Sequence, residues 1–253
     1  MKVGKMLKIT LVSLLTLGLV AYIAYAMLFL SGPDENEKCV AVEFTVKQDE
    51  KSAFIDKKDI EDMLKAAHVY PMGMLMKDVD AEKIEQIIAK NDFISKVECY
   101  KSANGKFCIS VEQRVPVIFV APDGKDGYFV DAQGKVIPFK GDATDLVVAS
   151  GNIDEKYACS KLAEFGQFLQ GNEFWNNQIE QIYVQKNRKG ERVVELVPRV
   201  GNHIIFLGKL DDYQRKLHKL ETFYQKAVKT VGWEKYARVD LEYDGQIICT
   251  KNK

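Results

Sequence analysis

Neither sign of charge is in excess in this chain. Its 36 basic and 36 acidic side chains cancel, which gives no electrostatic case for nucleic acid, a ligand that wants a basic surface. Histidine is scarce. His68, His203 and His218 fall on separate predicted elements, and none belongs to an H-E-x-x-H pair, so the helix that presents two zinc ligands is missing. A lone histidine on a helix or strand is by default a surface or packed residue. No G-x-S-x-G elbow presents a nucleophilic serine, because Ser150-Gly151 follows Ala149. No P-loop is present, because Gly134-Lys135 is followed by valine and lacks the upstream glycine. The five cysteines, Cys39, Cys99, Cys108, Cys159 and Cys249, are an odd number without a C-x-x-C. That excludes a disulfide-built scaffold and leaves small buried apolar residues as the main reading. Cys99 and Cys108 flank a predicted hairpin turn, where a bridge depends on register. Internal repeats and low-complexity tracts are also lacking. These absences leave no nucleophile, metal or cofactor constellation, so the chain is expected not to be an enzyme and to hold neither cofactor nor small-molecule substrate.

What the sequence does have is one long apolar run. Residues 9–30 contain no charge and no proline, and about 20 such residues cross a bilayer as a helix. Lys2, Lys5 and Lys8 precede the run; Asp34, Glu35 and Glu37 follow it. The positive-inside rule makes 1–8 a cytoplasmic tail, 9–30 a single transmembrane helix and 31–38 a polar linker, with the rest outside the cytoplasm. Ala24-Tyr25-Ala26 has the small-x-small form of a signal-peptide cleavage site. The run nevertheless continues through Met27-Leu28-Phe29-Leu30, beyond the about 7–15 residues of a signal h-region, which favours an uncleaved anchor.

After the linker, Val40, Val42, Phe44 and Val46 alternate as one face of a strand. Asp56 can cap a helix carrying Ile60, Met63, Leu64 and Ala67, and a second helix from Asp78 or Asp80 carries Ala81, Ile84, Ile87 and Ile88. Residues 94–101 and 106–115 form a hairpin around Asn104-Gly105, a dipeptide suited to positive φ. Two helices on a three-stranded sheet make a small α/β layer over 39–115. The remainder, 116–253, is strand-rich, with strands at 117–121, 127–131, 135–139, 147–148, 179–185, 191–197 and 203–207. Helices are expected over 156–170 and 211–231, and Trp175 and Trp233 are expected to plug the core. The basic tip Lys186-Asn187-Arg188-Lys189 reads as solvated loop. Finally, Val239, Leu241 and Tyr243 alternate with Arg238, Asp240 and Glu242, a last strand that needs a neighbour. The fold class is therefore α+β: one transmembrane helix, a strand–helix–helix–strand–strand domain and a strand-rich domain ending in an edge strand.

Four local patterns carry a resemblance. They are Glu112-Gln113-Arg114-Val115-Pro116-Val117, the hairpin 128–137 around Asp131-Ala132-Gln133-Gly134, Leu207-Gly208-Lys209 with Tyr213, Lys216 and Leu217, and Val239-Asp240-Leu241-Glu242-Tyr243-Asp244. In this order, behind one span, they resemble the FtsQ (DivIB) family of bacterial cell division, whose first extracytoplasmic module is a POTRA domain. The terminal strand departs from the family, having Glu242 where arginine is frequent. The resemblance implies a scaffold of the inner membrane and division septum that helps coordinate septal cell-wall synthesis. It implies FtsB- and FtsL-type bitopic proteins as partners, one of them adding a strand to the exposed last strand. By position the partner edge is Tyr243, Asp244, Gly245, Gln246, Ile247, Ile248 and Thr250, with Tyr243 as the anchoring ring. A different class, a periplasmic POTRA-type assembly or secretion factor, is the alternative; such proteins usually carry several POTRA modules or a barrel.

Overall fold

The computed structural model describes residues 3–29, 35–47, 54–140, 146–228, 230 and 232–252. The first element is helix α1 (Val3–Phe29). Its described side chains, 11–25, are uncharged and exposed throughout. Among the described residues no helix is long and apolar enough to cross a membrane. The stretch 11–25 is shorter than the about 20 residues a span needs, and the remainder of the expected span 9–30 falls outside the described side chains.

The chain divides into two compact units: Met1–Val46, Lys57–Ile88 and Val97–Val111 make the first, and Lys47–Asp56, Ala89–Lys96 and Glu112–Lys253 the second. The first is built on β1 (Ala41–Lys47), α2 (Lys57–Ala66), α3 (Ala81–Ile88), β2 (Ile94–Ser102) and β3 (Lys106–Gln113), with strand order β1-β3-β2. Ile60 and Leu64 of α2 and Ile84 and Ile88 of α3 are buried, one helical turn apart in each case. Phe107, Ile109 and Val111 enter the same core by the two-residue period of β3. Asp80 Oδ1 accepts the Lys83 N–H at 3.0 Å and caps α3. The β2–β3 turn has both Asn104 (φ 62) and Gly105 (φ 68) in the left-handed region, as the tight primed turns require. His68 also has positive φ (57). Its N–H donates to Lys65 O and that of Val69 to Leu64 O, each at 3.0 Å, so this histidine ends α2 by its backbone.

All five cysteines are free thiols. Cys108 sits between the buried Phe107 and Ile109 and points away from their core, its Sγ 3.9 Å from Glu43. Cys99 lies toward α3: its N–H donates to Glu85 Oε1 at 2.6 Å, and burial, with the Glu85 charge, pushes its thiol up to about 12. The two flank the turn on opposite faces, so the expected question of register resolves against a bridge.

The second unit holds one sheet of nine strands: β4 (Pro116–Pro122), β5 (Tyr128–Asp131), β6 (Val136–Pro138), β7 (Val148–Gly151), β8 (Ile179–Lys186), β9 (Arg192–Pro198), β10 (Ile204–Gly208), β11 (Tyr236–Asp240) and β12 (Ile248–Lys251). Their order is β12-β11-β10-β9-β8-β7-β4-β5-β6. The β4–β7, β7–β8 and β10–β11 pairs are parallel and require crossovers. One crossover contains α4 (Glu155–Tyr157), a wider π-type turn (Ala158–Leu162) and α5 (Ala163–Gln170). The expected single helix over 156–170 is thus interrupted. Gly166 lets α5 approach β4: a Cβ there would lie 3.0 Å from Val117 O and 3.1 Å from Ile118 Cβ. A helix missing from the sequence reading, α6 (Glu173–Gln178), follows, capped by Asn172 Oδ1 accepting the Trp175 N–H at 3.1 Å. Trp175 is buried as expected, while Trp233 is half-buried. The β10–β11 crossover contains α7 (Tyr213–Phe223), continued by a π-type turn (Tyr224–Val228). Phe165, Leu169, Leu217 and Leu220 from these helices share one core with Ile118, Val120, Ala149, Ile182, Leu196, Ile205 and Val239 from the sheet.

Two motifs of the sequence meet in this unit. Asp131, 1% exposed, accepts the N–H of Gln133 (2.9 Å) and Lys135 (2.7 Å) on Oδ1 and the Arg114 guanidinium (2.7 Å) on Oδ2. The Asp-x-x-Gly turn is therefore tied to the strand entering β4. Gln113 beside it is buried and fully used: Oε1 accepts the N–H of Phe54 and Ile55, and Nε2 donates to Ile55 O.

Candidate functional site

The candidate site is the end of the large sheet formed by β11 and β12. β11 is held on one side by β10, in parallel register Ile204↔Arg238, Ile205↔Val239 and Phe206↔Asp240. On its other side it pairs antiparallel with β12 through Arg238↔Thr250, Val239↔Cys249 and Asp240↔Ile248. The single last strand expected through Tyr243 stops instead at Asp240. The cause is local: Asp240 Oδ1 accepts the Glu242 N–H at 2.9 Å and bends the chain there, one residue after the Leu241 N–H has continued the β10 pairing by donating to Phe206 O at 2.9 Å. Gly245, at φ +72, then reverses the chain toward β12. Val239 and Leu241 are buried as the alternation demands, whereas Tyr243 is 49% exposed. Of the seven residues expected at the edge, Tyr243, Asp244, Gly245 and Gln246 lie in this loop. Ile247 packs against the core, and Ile248 and Thr250 stand on β12, with Ile248 46% exposed.

No strand lies beyond β12 among the described residues. The Asn252 N–H donates inward to Lys235 O at 3.0 Å. Strand backbone alternates, so Thr250 and Ile248 also turn their N–H and C=O toward β11, and Cys249 and Lys251 turn theirs outward. Those outward groups are what an added strand would pair with. On one face of the edge, Cys249 packs with the core, and burial pushes its thiol pKa up. On the other, Arg238 lies 4.5 Å over the Phe206 ring and bonds Glu195 at 2.7 Å. The short turn Trp233–Lys235 supports the start of β11. Trp233 stacks on His203 with centroids 6.0 Å apart, and His203 Nε2 is 2.7 Å from the Tyr224 hydroxyl. Burial lowers the His203 pKa. Asn252 Nδ2 donates to Glu234 O at 2.8 Å, joining that turn to the end of β12.

Sequence reasoning missed the supports beneath the loop. Lys219 of α7 donates to the carbonyls of Leu241 (3.3 Å), Tyr243 (2.7 Å) and Gln246 (2.9 Å), and Arg215 pairs with Asp244 at 2.7 Å. The only sequence signal was position, a lysine on the helix preceding the last strand. Among the described residues no group of three or more His, Cys, Asp or Glu could hold a metal ion.

The family model described as "FtsQ/DivIB, C-terminal related" matches residues 115–250, more than half of the chain, from just before β4 to β12. This chain belongs to the FtsQ/DivIB family. A second model, "POTRA-like domain", matches 37–112, which takes in the three-stranded sheet and its two helices. The "Cell division protein FtsQ" of Syntrophotalea carbinolica is 26% identical over 207 residues, covering 74% of this chain and 67% of that relative. FtsQ/DivIB proteins are cell-division scaffolds and not a known enzyme family.

Proposed function

We propose that this chain is a membrane-anchored scaffold of bacterial cell division that binds an FtsB- or FtsL-type partner by strand addition on the outer side of β12. Residues 9–30 anchor it in the inner membrane with the first eight residues in the cytoplasm. A POTRA-like domain (39–115) and a strand-rich domain (116–253) stand outside, where at the septum they help coordinate cell-wall synthesis. The observation that carries this reading is the terminal edge: β12 has one side bonded to β11, and an exposed tyrosine and isoleucine stand beside it. A partner strand would satisfy the outward N–H and C=O groups of Cys249 and Lys251. Tyr243 offers a large amphipathic ring as the anchor. Membership of the FtsQ/DivIB family supports the division role.

The test is the affinity of the full-length chain, in detergent, for the FtsB–FtsL complex of the same cell. Tyr243→Ala is expected to weaken binding by about 2 kcal/mol, the size of an interface anchor, with the unfolding midpoint unchanged. No binding by the wild-type chain would remove the partner assignment. Equal affinity of wild type and variant would remove Tyr243 from the interface.

A further inference from the structure

We infer that Lys219 is the positioning residue of the terminal edge: its ammonium grips the backbone of the 241–246 loop and thereby sets where Tyr243 and β12 stand. The inference rests on the reading of β12 as the partner edge. An ammonium has three N–H donors and no acceptor. At Lys219 three carbonyls receive them, those of Leu241, Tyr243 and Gln246. Loop carbonyls between two strands have no ladder partner and must find a donor elsewhere, and here one side chain from α7 meets three of them. Tyr243 is thus fixed through its own carbonyl, at 2.7 Å, while its ring is left exposed. Gln246, two residues before β12, is fixed the same way at 2.9 Å. Burial draws the Lys219 pKa below the usual lysine value, with Asp244 opposing, as expected for an ammonium partly withdrawn from water.

The same helix supplies a control. Lys216, one turn earlier, donates to Leu207 O at 2.9 Å and Lys209 O at 2.8 Å. It ties down the segment between β10 and α7 and does not reach the 241–246 loop through those bonds. Removing the Lys219 ammonium frees the loop, and a partner strand must then order it again. Re-ordering one or two residues weakens binding about ten- to a hundredfold.

Amide hydrogen exchange of the full-length chain in detergent, read peptide by peptide, tests this beside affinity for the FtsB–FtsL complex. Lys219→Met is expected to speed exchange over 241–251 at least about tenfold, to leave β8 protected, and to weaken binding. Lys216→Met is expected to speed exchange over 207–212 instead. Unchanged exchange over 241–251 in Lys219→Met overturns the inference, as does loosened exchange with wild-type affinity. If Lys219→Met also exposes β8, Lys219→Arg gives the same comparison, because it keeps the charge but replaces the three-way ammonium with a planar fork. A wild-type chain that binds no partner refutes the strand-addition reading instead, and the exchange data then still decide whether Lys219 holds the loop.

Discussion

His203 is a buried imidazole whose Nε2 meets the Tyr224 hydroxyl at 2.7 Å and whose ring stacks on Trp233. Burial lowers its folded-state pKa below the ordinary imidazole value of about 6.5. The unfolded chain therefore takes up a proton at a pH where the folded chain does not. The contribution of His203 is full above about pH 6.5 and declines as pH falls through the unfolded value toward the depressed folded one. His203→Gln, which can still bond Tyr224 but does not titrate, is expected to show a smaller fall in Tm between pH 7 and pH 5 than wild type. Equal falls would mean that protonation of this ring is not coupled to folding. Asp131 makes a second prediction at this scale. Its carboxylate serves two turn N–H groups and the Arg114 guanidinium from a 1%-exposed position. Asp131→Ala leaves all three donors without it and is expected to cost about 3–5 kcal/mol in denaturant unfolding, far more than substitution of an ordinary turn aspartate. The sequence showed Asp131 as a turn residue. It could not show the tie to Arg114, because that bond depends on how β4 and β5 pair.

At the scale of elements, the outer backbone of β12 can be probed without touching its inner ladder. Proline at an outward position removes only a donor that no strand among the described residues uses, and edge strands tolerate it. Lys251→Pro is therefore expected to leave thermal unfolding nearly unchanged while weakening partner binding. Thr250→Pro removes an inward N–H and is expected to destabilise the β11–β12 pair by about 3 kcal/mol. The reverse pattern would mean that the alternation inferred from Asn252 is wrong. The same element shows why the sequence was legible only in part. Asn104-Gly105 was readable because a tight turn is local chemistry, and Ile60/Leu64 and Ile84/Ile88 were readable because helical period is local geometry. The break after Asp240 was not: Val239 and Leu241 keep alternating inward whether the chain runs straight or turns, and Asp240 decides by capping the Glu242 N–H. α6 was missed because it is short and polar, Glu173–Gln178, with Asn172 as its main local signal. The position of β7 between β4 and β8, and of β11 beside β10, rests on parallel pairings that no local pattern specifies. The seven expected edge residues came by position from the family resemblance, but Lys219 could not, because its contacts depend on three carbonyls that meet only after folding.

For the whole molecule, the decisive question is whether the N-terminal helix holds the chain in a membrane. α1 is continuous over Val3–Phe29, and its described side chains, 11–25, are uncharged and exposed. Exposed leucines and valines along one isolated helix are unfavourable in water and favourable in lipid tails. Leu14 and Leu17 lie near the middle of the apolar run, 71% and 72% exposed. An arginine near the centre of a membrane helix costs about 2.5–3.5 kcal/mol on insertion scales, so Leu14→Arg with Leu17→Arg opposes insertion by about twice that. The wild-type chain is expected to stay in the membrane pellet after alkaline carbonate extraction, and the double variant to shift to the supernatant. Both mechanisms of export through this segment, anchor and cleaved signal, are separated by the N-terminal peptide of the purified wild-type chain. A chain that still contains the peptide through Leu30 is anchored by it. A new terminus at Met27 means cleavage after Ala26, which releases the two folded units and moves the proposed scaffold from the membrane to the space beside it. In the anchored case the chain and a bitopic partner share one membrane, and that confinement raises their effective concentration for each other. Deleting the anchor is then expected to weaken assembly in cells more than it weakens binding in dilute detergent, and equal losses in the two settings would show that the membrane contributes no proximity.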